Sequence, residues 1–182
     1  MMEALRQDRH YTYADWLAWP ENERWEVIDG VAHMMSAPDV AHQRISRKLL
    51  RQIDSFLDDK PCEVFNAPFG VRLADDSVVE PDLLVVCDKS KLADGKVCNG
   101  APDMVVEILS PSTPSREKVL KFNKYLGAGV REYWVVYPDS KSVSVYLLED
   151  GQYIAKEYAD TDTVPVHVLV GCVISLPDVF EE

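Results

Sequence analysis

The 182-residue sequence predicts a mixed β-sheet with helices packed on it, of the α/β or α+β kind. Three features carry that expectation. Ile45, Leu49, Ile53 and Leu57 recur every four residues, the spacing of a helix with one buried face. Leu83-Leu84-Val85-Val86 and Met104 to Leu109 are continuous apolar runs suited to strands buried on both sides. Asp29-Gly30 and Asp150-Gly151 each sit between apolar segments, where such a pair signals a hairpin.

Taken in order, Thr12 is placed to cap a short helix through Trp16 and Leu17 that stops before Pro20. Arg24 to Asp29 and Val31 to Met35 form the first hairpin. Pro38 and Asp39 open the long helix, with Leu50 and Phe56 beside its apolar stripe, and Lys60-Pro61 closes it. Extended segments follow at Cys62 to Asn66, Phe69 to Leu73 and Val78 to Cys87, then a polar loop from Asp88 to Pro102. After the strand at Met104 to Leu109, the breaker cluster Ser110 to Ser115 leads into a helix over Arg116 to Gly127. Glu132 to Tyr137 is a third apolar strand, and Val143 to Leu148 pairs with Tyr153 to Glu157 as the second hairpin. Val164 to Leu176 is expected to add edge strands.

Length favours a single domain over residues 1–182, large enough to bury a core without staples. Hydrophobic residues at 47% and charged residues at 27% exclude a disordered chain. No apolar run reaches the roughly 18 residues of a membrane span, and Met1 to Tyr13 is too charged for a signal core, so a cytoplasmic protein is expected. Cys62, Cys87, Cys98 and Cys172 lack paired or zinc-like spacing and are expected to be small buried hydrophobes. With 19 basic against 31 acidic residues the net charge is −12, which argues against a protein that coats nucleic acid through a broad basic surface. A local basic patch remains compatible with that total.

The chemistry is signalled by acids inside apolar strands. Asp82 stands at the mouth of one run, Glu107 inside the next, and Glu26 inside the first hairpin. An ionised carboxylate there is costly unless paired, hydrogen-bonded or on a metal. Three such acids on strands of one sheet would converge on a hard divalent cation, and Mg²⁺ favours a few carboxylates with waters.

The segments Glu80-Pro81-Asp82, Val106-Glu107-Ile108-Leu109-Ser110-Pro111-Ser112-Thr113 and Gly129-Val130-Arg131-Glu132-Tyr133-Trp134-Val135-Val136 resemble a widespread bacterial group of restriction-endonuclease-like proteins in the PD-(D/E)XK nuclease superfamily. Trp25 to Gly30 and His42 extend the resemblance from about Tyr13 to Pro177. It implies an αβββαβ core with additional β-hairpins, and a metal-dependent endonuclease acting on nucleic acid, with DNA as the first expectation. It matches Asp82 to the family's PD aspartate, Glu107 to its following acid, and Glu26 to the acid before the Asp-Gly turn. Mg²⁺ or Mn²⁺ would be held by Asp82, Glu107 and the Ile108 carbonyl, with help from Glu26. Two residues after Glu107 the superfamily usually has Lys, and this chain has Leu109. The missing cation is expected from the following helix, where Glu117, Lys121 and Tyr125 share one face. Lys121 is the candidate, with Lys124 and Lys118 behind it.

His42 is a candidate proton shuttle or phosphate contact, or a helix-terminal histidine paired with a carboxylate. His10, His33 and His167 carry no motif. Arg44, Arg47, Lys48 and Arg51 follow helical spacing opposite the apolar stripe, and Arg116, Lys118, Lys121 and Lys124 line the later helix. Facing one cleft, the two rows would form a phosphate track; otherwise they are solvated faces. Superfamily enzymes that cut both strands imply a homodimer, with Tyr11 to Trp19 as a candidate interface. Two other readings stay open: a catalytically inactive interaction module on the same fold, favoured by Leu109 and the acidic surface, and an unrelated β-rich binding domain.

Overall fold

The computed structural model describes residues 9–20, 23–110 and 115–181. Most of the charged N-terminal stretch and residues 111–114 of the breaker cluster lie outside the described residues. The elements in chain order are α1 (Tyr13–Leu17), β1 (Trp25–Ile28), β2 (Val31–Met34), α2 (Val40–Leu57), β3 (Glu63–Asn66), β4 (Val71–Ala74), β5 (Ser77–Val79) and β6 (Leu83–Val86). After them come β7 (Cys98–Asn99), β8 (Met104–Ile108), α3 (Ser115–Ala128), β9 (Glu132–Tyr137), β10 (Ser142–Glu149), β11 (Gln152–Ala159), β12 (Thr163–Pro165), β13 (Val173–Ser175) and α4 (Leu176–Phe180).

Six strands form one sheet in the order β11-β10-β9-β8-β6-β3, antiparallel except where α3 crosses over to make β8 and β9 parallel. Within it the chain runs α2, β3, β6, β8, α3, β9, which is the expected αβββαβ core. A second sheet, β2-β1-β5-β4-β7, collects the first hairpin and the strands that interrupt that core. The fold is thus a mixed α+β one.

Alternation along the strands sorts the core into two clusters. Leu83 and Val85 of β6 join Met104, Val106 and Ile108 of β8 and Trp134 and Val136 of β9 on one side. The stripe Ile45, Leu49, Ile53 and Leu57 of α2 and Leu176 and Val179 of α4 cover that side. Leu84, Val86, Val105, Tyr133 and Val135 face the other way, against Tyr125 of α3 and Ile28, Val71 and Val79 of the second sheet. Because successive side chains on a strand point to opposite faces, Glu107 shares the side of Val105 and so faces α3 and the second sheet.

Local chemistry sets the element ends. Thr12 and Asp15 form a reciprocal capping box on α1, and Asp39 caps α2 by accepting the His42 N–H at 2.8 Å. Asp29 and Gly30 adopt φ of 53° and 75°, the left-handed pair that a two-residue hairpin turn needs.

Five expectations are corrected. Val78 to Cys87 is two strands in different sheets, β5 and β6, broken at Glu80-Pro81-Asp82, where Pro81 has no N–H for a ladder. Glu26 therefore lies on the second sheet and Glu107 on the first, so the three acids do not share one sheet. Val164 to Leu176 adds no edge to either: β12 and β13 pair with each other, and α4 follows. The Asp88 to Pro102 loop contains a 3-10 turn over Lys89–Leu92 and the short β7. Of the cysteines, Cys98 and Cys172 are free and buried as expected, whereas Cys62 and Cys87 form a disulfide between the ends of β3 and β6. Their spacing of 25 residues carries no pairing signal; only the β3–β6 register brings them together. Among the described residues no helix is long and apolar enough to cross a membrane.

Candidate active site

The seam between the two sheets gathers the acids. Asp82 ends the break between β5 and β6; its Oδ2 accepts the Ile108 N–H at 2.7 Å, and its Oδ1 lies 3.0 Å from His42 Nε2. On the neighbouring β8, Glu107 Oε1 accepts from Lys121 Nζ at 3.0 Å and Tyr125 OH at 2.6 Å, and its Oε2 accepts from Lys121 at 3.1 Å. The second sheet contributes Glu26, whose Oε1 accepts from Lys121 Nζ and from the Glu80 N–H, each at 2.8 Å. Lys121 and Tyr125, one helical turn apart on α3, thus close over Glu107, with Lys121 bridging to Glu26 on the other sheet. Lys124, the next candidate, turns away to pair with Asp29.

Burial dominates the electrostatics. It pushes the Glu107 carboxyl up to about 7; Lys121 opposes this, and the charges of Asp82 and Glu26 add to it. Burial works against the Lys121 ammonium, but Glu107 and Glu26 more than offset it, and its pKa stands above the ordinary lysine range. The Tyr125 hydroxyl is raised well above its usual value by burial and by Glu107, so it stays a hydrogen-bond donor. For His42, burial lowers the pKa, but the bond and charge of Asp82 outweigh it and the net shift is upward.

Asp82, Glu107 and Ile108 line one cleft of about 170 Å³ together with His42 and Lys121. Two hard carboxylates beside a water-accessible space suit Mg²⁺ or Mn²⁺, which need only one or two carboxylates with waters. The expected third carboxylate does not join them. Glu26 is fully buried and absent from the cleft lining, its Oε2 has no partner, and among the described residues no group of three His, Cys, Asp or Glu could hold a metal ion. Lys121 Nζ stands 2.8 Å from Glu26 Oε1 and 3.0 Å from Glu107 Oε1, so Glu26 anchors the ammonium.

The two basic rows do not share this cleft. From α3, Lys118 and Lys121 line it. From α2 only His42, Gln43 and Ser46 do; Arg44 and Arg47 line a more open depression alongside, Arg51 is exposed, and Lys48 donates to the Glu181 carbonyl. Sequence reasoning missed Arg24 and Glu80. Arg24 Nε and Nη2 donate to Glu80 Oε2 at 3.0 and 2.9 Å, and both residues line the carboxylate cleft. A separation of 56 residues leaves no local signal for this pair, though a glutamate two positions before Asp82 is a visible hint.

The aromatics of Tyr11 to Trp19, the candidate dimer interface, make ring contacts within the chain: Tyr11 with Trp19, Tyr13 with Trp16, and Trp19 with Trp25. Trp134 is fully buried, as a core residue should be.

Residues 12–177 match the family Uma2, described as "Putative restriction endonuclease". An uncharacterized protein of Synechocystis sp. (slr1290) is 28% identical over 153 residues, covering 81% of this chain and 80% of that protein. A crystal structure from Anabaena variabilis, titled as a "putative nuclease belonging to DUF820", superposes with a TM-score of 0.78 at 23% identity, covering 93% of this chain and 97% of the other. That likeness carries the fold.

Proposed function

Since the chain belongs to the Uma2 family, we propose that it is a metal-dependent nuclease that hydrolyses phosphodiester bonds of nucleic acid, with DNA as the substrate. One observation carries this reading: Asp82 and Glu107 line the same cleft, and α3 brings a lysine amine onto Glu107, while the position two residues after Glu107 holds Leu109. Asp82, Glu107 and the Ile108 carbonyl are the ligands proposed for Mg²⁺ or Mn²⁺. When bound, the ion supplies Lewis-acid chemistry, acidifying water and offsetting charge on the phosphate.

The protein's own groups do the rest. Glu26 fixes Lys121 from behind, so the ammonium stands beside Glu107 as a preorganised cation where charge develops on the phosphate. Tyr125 orients Glu107 through its hydroxyl. His42 and the Ile108 N–H hold the two oxygens of Asp82 in place. A phosphodiester that enters the cleft therefore meets carboxylates whose rotamers are already fixed, and little reorganisation is left for the reaction itself.

A second reading, the inactive interaction module, draws on the same ammonium: Lys121 already neutralises Glu26 and Glu107 without a cation. Mn²⁺ calorimetry together with hydrolysis of bis(p-nitrophenyl) phosphate separates the two. The nuclease reading expects Mn²⁺ binding that Asp82→Asn abolishes, and ester hydrolysis lost with it. Absence of both in the folded wild type supports the module and overturns the enzyme.

A further inference from the structure

Resting on the nuclease reading, we infer that Arg24, mounted on Glu80, holds a substrate phosphate beside the Asp82–Glu107 pair. The protein carries 12 more negative than positive charges, so a polyanion must be held by local cations rather than by the overall field. Among the described residues, Arg24, Lys118 and Lys121 are the lysines and arginines that line the carboxylate cleft. Lys121 is committed to Glu26 and Glu107. Of the outer row of α2, Arg44 and Arg47 line the neighbouring depression, Arg51 is exposed, and Lys48 is bonded to the Glu181 carbonyl. Arg24 and Lys118 are left to meet a phosphate.

Of these two, Arg24 is the prepared one. Glu80 takes two of the five guanidinium donors, and among the described residues no other acceptor engages the remaining three. The planar fork matches phosphate oxygens. Its side chain is 31% exposed, open enough to reach a ligand, whereas that of Glu80 is 9% exposed and works as the fixed mount. The mount is itself part of the site: the Glu80 N–H donates to Glu26, which holds Lys121, and Glu80 stands two residues before Asp82. Arg24 is a positioning residue for substrate, carried on the same framework as the reacting groups.

The pair permits a charge-neutral test. Arg24→Ala with Glu80→Gln removes one positive and one negative charge, leaving the net charge and the long-range field unaltered. Binding of fluorescein-labelled duplex and single-stranded DNA would be followed in EDTA across a salt series, with Arg72→Ala/Asp75→Ala as a charge-neutral control at an exposed ion pair. The expected result is roughly tenfold weaker binding and a salt slope smaller by about 1, with the control unchanged. Wild-type affinity and slope in the Arg24/Glu80 variant overturn the proposal while leaving the nuclease reading intact. Absence of any DNA binding by the wild type overturns the Arg24 assignment alone, since the nuclease reading is tested separately by hydrolysis in the presence of metal. If the double variant fails to fold, Arg24→Lys keeps the charge and loses the fork. Severalfold weaker binding is then expected, and unchanged binding overturns the assignment.

Discussion

With its ammonium 2.8 Å from Glu26 and 3.0 and 3.1 Å from the two oxygens of Glu107, Lys121 is the counter-charge for two buried acids from different sheets. A buried ion pair contributes little net stability when complete, but breaking it strands the remaining charges. Lys121→Met is therefore expected to lower unfolding free energy by about 3–5 kcal/mol in urea titrations, and a loss below about 1 kcal/mol would contradict the bridging role. A third buried acid behaves differently. Glu132 is fully buried, accepts the Trp134 indole N–H at 2.7 Å and the Val168 N–H at 2.8 Å, and has His167 Nδ1 at 3.7 Å. Burial raises its pKa, and those partners recover only part of the shift. A raised folded pKa means that the carboxyl contributes most while neutral, below the ordinary glutamate value of about 4.3, and that this contribution is lost as pH rises through the folded value. The stability of the wild type relative to Glu132→Gln should therefore fall as pH rises above the ordinary glutamate value of about 4.3; a gap that stays flat or widens would refute that assignment.

At the scale of elements, α2 and the Asp29-Gly30 hairpin were legible because each is set by local chemistry. The α2 stripe follows helical period, and Leu49 at its centre is fully buried. Leu49→Ala is expected to cost about 2–5 kcal/mol, and a near-neutral result would mean that α2 does not cover the sheet as described. Gly30 sits at φ 75°, so Gly30→Ala should cost about 1–2 kcal/mol from backbone strain alone. Denaturation of that variant would show the loss even after the exposed His10 ring, which a new Cβ would meet at 2.0 Å, has moved aside. What was illegible is long-range. The split of Val78 to Cys87 depends on which sheet each half joins, and an apolar run reads the same for both. Glu26 and Glu107 were recognised as acids out of place, yet their separation onto two sheets, with Lys121 between them, is a property of packing. Arg24 and Glu80 meet only because β1 and β5 are neighbours.

Across the whole molecule, two sheets meet at a seam that carries carboxylates, in a chain whose net charge of −12 opposes a polyanion overall. On the proposed reading, nucleic acid is engaged at the cleft, which Arg24 and Lys118 line beside the acids and where a divalent cation would reduce the local negative charge. The acidic total and the nuclease reading are compatible for that reason: the charge balance argues against a coating protein and leaves room for a local site at the cleft. The central claim is that Asp82 and Glu107 form this metal-dependent centre. Its most direct test is cleavage of supercoiled plasmid by the wild type and Asp82→Ala, each in Mg²⁺, Mn²⁺ and EDTA. Conversion to nicked or linear DNA by the wild type with metal, and by neither EDTA-treated protein nor Asp82→Ala, is the predicted result. Cleavage that survives in Asp82→Ala or in EDTA would contradict it.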